Sequence, residues 1–232
     1  MELELRDKTA VVAAASHGIG KACAMRLARE GADVVICARG QEDLVKTTEE
    51  ISAATGRQVE WVQADLSKAS DIDVLIDATT VAFGDIDILV TNCGGPKTGT
   101  MMTLDDTDWR QAYEGVLMGT LRLIRSAVPH MRASGSGRIV NLTSVAVVQP
   151  IDGLVLSNAM RSAITATDFA FSNSGGPLPP ELRGQIYADP IPFLDRLSSN
   201  IGNRHPKEVD ERVRGLVDNV RPWWPLDETI DA

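Results

Sequence analysis

The chain of 232 residues is short of several things, and each shortage removes a class of function. No apolar run comes near the roughly 18 residues that a membrane-crossing helix needs. Basic residues number 23 against 32 acidic ones, leaving a formal net charge of -9. A chain so charged repels phosphate backbones and anionic bilayers, so no nucleic acid and no membrane is expected as a partner. Cysteine occurs at Cys23, Cys37 and Cys93, and histidine at His17, His130 and His205. Neither set has metal-ligand spacing, so no metal is expected. The scattered cysteines fit small core residues of a reducing compartment better than a disulfide framework. The N-terminal MELELRDKTAVV is acidic and runs straight into an apolar strand. It lacks the basic start and apolar middle of a secretory leader, and a cytoplasmic location is expected.

What is present is an ordinary globular balance, 44% hydrophobic and 24% charged. From residue 8 to about 172, short apolar runs alternate with longer amphipathic stretches. Strands are predicted over 9–14, 33–37, 59–63, 87–91 and 137–142, and helices over 18–30, 41–54, 69–83, 107–132 and 154–171. Such alternation builds right-handed β-α-β crossovers, so the fold class is α/β, a doubly wound parallel sheet of about five strands. The strand sequences VVIC, DILV and RIVNL are nearly continuous in apolar residues, which predicts burial on both faces.

Beyond residue 172 the pattern breaks. The stretch Ser172 to Pro180 is loop chemistry, with two glycines and three prolines. One helix is predicted from Pro206 to near Pro222, with Val209, Val213, Leu216, Val217 and Val220 on one face, followed by Trp223-Trp224. The organisation is therefore a domain over 1–172 and an atypical extension over 173–232 that packs on the domain or on a partner.

Chemistry concentrates in the turns after the strands. Val11 to Gly20 places a Gly-rich turn between a strand and a helix, where backbone N–H groups of Gly18, Ile19 and Gly20 can meet a pyrophosphate. Arg39 follows the second strand, Asp65 the third, and Asn92 and Gly94 the fourth. With these turns at this spacing, about residues 5–172 resemble the short-chain dehydrogenase/reductase family and its Rossmann-like fold. The resemblance implies an NAD(P) site from Gly18, Ile19, Gly20, Arg39, Asp65, Asn92 and Gly94. Arg39, without an acidic residue at Ala38, implies the 2′-phosphate of NADP. Yet Ala13 and Ala14 stand where the family motif has Thr-Gly, so the same residues also read as a vestige.

The family's catalytic set carries over at one position of four. Ser144 matches the substrate-orienting serine, but Ser157 occupies the tyrosine position, Arg161 the lysine position and Val116 that of the relay asparagine. A phenol titrates near 10, whereas an aliphatic hydroxyl does so far higher and moves protons poorly at neutrality. Arg161 keeps a positive charge but offers a planar fork in place of a compact ammonium. The family's later elements, which wall the nicotinamide and the substrate, have no counterpart after residue 171. The resemblance therefore implies no catalytic residue and no cofactor on this chain, with NAD(P) bound by a partner.

The expected function is that of a non-catalytic subunit supporting a catalytically intact family member in a hetero-oligomer, with two chains of each kind. The helices over 107–132 and 154–171 would pair, through a face that includes Leu117, Leu121, Ile124 and Val128. Two other readings stay open. One is an active NADP-dependent oxidoreductase in which Ser144 and Ser157 hold the substrate oxygen and Arg161 polarises it. The other is a ligand sensor without catalysis.

Overall fold

The computed structural model describes residues 5–174, with side chains described through residue 167. The helix expected from Pro206, the Trp223-Trp224 pair and the rest of the extension lie outside the described residues.

Five strands form one parallel sheet: β1 (Thr9–Ala13), β2 (Asp33–Ala38), β3 (Val59–Gln63), β4 (Ile88–Thr91) and β5 (Arg138–Asn141). Their order is β3-β2-β1-β4-β5, with Val11 opposite both Val35 and Leu89. The helices are α1 (Gly18–Arg29), α2 (Gln41–Thr55), α3 (Ala69–Phe83), α4 (Asp106–Ala112), α5 (Gly119–Ala133) and α6 (Val155–Ser174). Alternate strand residues point to opposite faces. Val11, Val35, Cys37 and Leu89 therefore join Leu75 of α3 and Leu123 of α5, while Val12, Ile36 and Val90 join Ala24 of α1 and Leu44 and Ile51 of α2. This is the doubly wound α/β sheet expected.

Three expectations are corrected. First, β5 is not buried on both faces: Arg138 is exposed and Val140 is 47% exposed. Among the described residues β5 pairs only with β4 and stands at the edge of the sheet, a position that its apolar sequence alone does not reveal. Secondly, the helix over 107–132 is not continuous. Between α4 and α5 the chain widens into a π-helical segment, Tyr113–Met118. One such turn inserts a residue into the helical period. Beyond it Gly119 lies against Leu66, where a Cβ would come within 2.8 Å of the Leu66 carbonyl oxygen. Thirdly, α6 includes residues 172–174, which composition assigns to a loop.

The face read as a pairing surface is largely used within the chain. Ile124 is 8% exposed and sits in the core beneath the sheet, with Val128 packed against it. Leu117 packs against a third cluster, built from Leu104, Ala112, Val116, Leu156, Met160 and Ile164. That cluster ties α4 and the π-helical segment to α6.

Candidate functional site

A cleft of about 640 Å³ opens at the carboxyl ends of β1 to β4, where the strand order reverses between β1 and β4. Open α/β sheets bind ligands at such a reversal. All the turn residues singled out in the sequence except Gly20 line it: Gly18, Ile19, Arg39, Asp65, Asn92 and Gly94.

Each turn is shaped locally. Gly18 has φ +61°, in the left-handed region open to glycine. A Cβ at Gly20 would collide with the Ala14 carbonyl oxygen and come within 2.9 Å of Ala15 Cα, so only glycine lets α1 start against β1. Ala14 itself has φ +47°, which L residues other than Asn and Asp adopt at a cost of about 1–2 kcal/mol. The Asn92 amide holds it there, Nδ2 donating to the Ala14 carbonyl at 3.2 Å.

The start of α1 is uncapped. His17 makes no side-chain bond to the helix, and Lys21 N, donating to the His17 carbonyl, is the first amide to find a partner. By contrast α4 opens on a reciprocal cap, Asp105 accepting from Thr107 N and Asp108 N at 2.9 Å. The free amides of Gly18, Ile19 and Gly20 leave partial positive charge at the mouth of the cleft. Glycines Gly94 and Gly95 have open space where a side chain would be. This donor set fits a dinucleotide pyrophosphate.

Asp65 is committed to its own turn, its Oδ1 accepting from Ser67 N at 3.1 Å and Ser67 Oγ at 2.8 Å. Those bonds from Ser67 hold its carboxyl below the usual range, although burial opposes them. The cleft also gathers residues that spacing did not single out for it, among them His17, Asp43, Lys97 and Asp108. Asp108 is nearly buried and accepts from Lys97 Nζ at 2.8 and 3.0 Å, which lowers its pKa and raises that of Lys97. The sequence signal was the Asp105-x-x-Asp108 capping pattern just before an apolar run. Cys93, read as a core filler, packs against the third apolar cluster and also lines the cleft. Burial pushes its thiol up, and the Arg161 charge acts in the other direction.

Of the four positions of the catalytic set, Ser144, Ser157 and Arg161 stand apart from this lining, and Val116 reaches it. Ser144 Oγ accepts from Ala146 N at 3.1 Å and starts a short 3-10 turn, Val145–Val147. Arg161 is 9% exposed, and its Nη1 donates to the carbonyls of Leu142 and Thr143, each at 3.0 Å. Ser157 lies one turn before it on α6, half-buried. Val116 reaches the inner wall of the cleft but belongs to the third apolar cluster at 2% exposure. Hydrogen bonds fasten the chain just before α6. Gly99 N donates to the Gly153 carbonyl at 2.6 Å, and the Asn158 amide donates to the Ile151 carbonyl at 2.9 Å.

A family model described as short chain dehydrogenase matches residues 8–167. An uncharacterized oxidoreductase of Bacillus subtilis, YvrD, is 35% identical over 164 residues, covering 71% of this chain and 61% of that protein. A 3-oxoacyl-[acyl-carrier-protein] reductase, FabG, of Staphylococcus epidermidis is 32% identical over 139 residues, 60% of this chain and 57% of its own length. The chain thus spans less than two thirds of either relative. Among solved structures, L-sorbose reductase from Gluconobacter frateurii, complexed with NADPH and L-sorbose, has a TM-score of 0.72 at 31% identity, over 74% of this chain and 65% of the other.

Proposed function

The chain belongs to the short chain dehydrogenase family, and we propose that it binds NADP(H) itself but does not carry out the family's tyrosine–lysine chemistry. Binding by this chain departs from the expectation that the dinucleotide rides on a partner alone. The uncapped amides of α1 support it, and so do the relatives that bind NAD(P). Gly18, Ile19 and Gly20 would hold the pyrophosphate and Arg39 the 2′-phosphate, with Asp43 beside it disfavouring added negative charge. Asn92 keeps the turn at Ala14 in place. A bound NADP(H) supplies a hydride donor or acceptor.

One observation supports the loss of chemistry: Arg161 Nη1 is tied to two backbone carbonyls, and the residue lies outside the cleft lining. Val116, at the asparagine position, sits in an apolar cluster with Met160 and Ile164 and offers no group to hold a relay water. The finer reading keeps the hetero-oligomer, in which this chain supports an intact family member through the helices over 107–132 and 154–171. In overall character it is similar to the inactive subunit of 2-(α-hydroxybenzyl)succinyl-CoA dehydrogenase. The alternative, an active oxidoreductase, is favoured by the retention of Ser144 and by the relatives' names.

Calorimetry on the purified chain tests the first part. NADPH should bind, and Arg39→Ala should weaken it about tenfold while leaving NADH unchanged. No binding of either nucleotide would overturn the cleft reading. Native mass spectrometry of the protein from its own cells tests the second part. A complex with a second dehydrogenase-like chain is expected, dissociated by Leu121→Glu, while NADPH consumption by the isolated chain would favour the alternative.

A further inference from the structure

Two charged side chains are buried among the described residues, Asp108 and Arg161. Asp108 has its counter-charge in Lys97. Arg161 pairs with no carboxylate among the described residues, which is unusual, because buried charges are ordinarily matched. Its two recorded bonds both leave from Nη1. A guanidinium carries five donors in a fixed plane, and Nε with Nη2 forms a second edge suited to a carboxylate. That edge has no hydrogen-bond partner among the described residues.

Two hydroxyls belong to the same corner. Ser157 precedes Arg161 by one helical turn, so both share a face of α6, and helical side chains lean toward the N-terminus. Ser157 is half-buried and makes no recorded side-chain bond. Ser144 follows Thr143, whose carbonyl Arg161 holds, and its Oγ accepts from Ala146 N, which leaves the O–H free to donate. The corner is rich in donors and, among the described residues, has no acid paired with Arg161. It adjoins the inner end of the cleft at Cys93, whose thiol feels the Arg161 charge.

We propose that the free edge of Arg161, with the hydroxyls of Ser157 and Ser144, is a seat for the carboxylate of a small-molecule ligand. It rests on the reading above only for its neighbour, the bound dinucleotide. Substitution at the tyrosine and lysine positions has then exchanged proton transfer for recognition of an anion.

The test uses the full chain, with acetate and benzoate each titrated against its amide by saturation-transfer NMR at constant ionic strength. NADPH affinity is measured in parallel by calorimetry. At least one carboxylate should bind about tenfold more tightly than its amide. Arg161→Met should abolish that preference and leave NADPH affinity within about twofold, because Arg161 does not line the cleft. Should Arg161→Met fail to fold, Ser157→Ala carries the test, since it leaves both carbonyl bonds intact; about a threefold or greater loss of carboxylate affinity is expected. Equal binding of acid and amide, or a preference surviving both substitutions, overturns the seat. Loss of NADPH binding alone counts against the cleft reading and not against this one.

Discussion

At the scale of single residues, Ala14 and Arg161 are both held in place by hydrogen bonds to backbone carbonyls. The left-handed backbone at Ala14 is fixed between Asn92, which donates to its carbonyl, and Ala15 N, which donates to the Cys37 carbonyl at 3.0 Å. Ala14→Gly relieves the strained backbone and gives back some unfolded-state entropy. The net gain should be about 1 kcal/mol, read as a raised Tm by calorimetry. A Tm unchanged or lowered by this substitution would mean that the turn relaxes in solution. Gly20 is the opposite case, since any side chain there displaces α1 from β1.

At the scale of elements, the strands and helices were legible because their apolar periods were clean. The four turns bearing Gly18 and Gly20, Arg39, Asp65, and Asn92 with Gly94 were legible because each follows a strand. Other features were not. The π-helical segment hides within a helical pattern, because one inserted residue shifts the phase only locally. The exposure of β5 depends on a neighbouring strand, which no residue of β5 encodes. Residue type identified Arg161 as a departure, but its attachment to Leu142 and Thr143 depends on how α6 leans over β5. The same geometry predicts the outcome of restoring the lost pair. The double variant Ser157→Tyr/Arg161→Lys should bind NADPH as the parent does, yet consume none with a panel of ketones. Val116 still occupies the asparagine position within an apolar cluster, and a lysine cannot hold two carbonyls with the same fork. Steady turnover by that variant would show that the elements around the site retain their catalytic competence.

At the scale of the whole molecule, the sheet is tied at its amino end by Asp87. Its carboxylate accepts from Lys8 Nζ at 2.8 Å, Thr9 N at 3.0 Å and Ser136 Oγ at 3.2 Å, joining the entrances of β1, β4 and β5. Burial alone would raise the Asp87 pKa, but these donors outweigh it and hold the carboxyl below its usual range. A depressed pKa contributes stability above the unfolded value of about 3.9, and that contribution is lost as pH falls through the lower folded value. Asp87→Asn should therefore cost about 1–3 kcal/mol near neutrality. It should also flatten the acid limb of the stability curve, measured by urea unfolding between about pH 3 and 7. An acid limb identical to the parent's would place the pH dependence elsewhere. The exit of β5 is held by Arg161 instead, and this bears on any change to lysine at that position. Once the exit of β5 depends on a guanidinium, a reversion to lysine first loses a structural support, and only later, with tyrosine and asparagine also regained, could any catalytic advantage return. The support that Arg161 gives to the exit of β5 would have to be replaced before a lysine there could serve any other purpose.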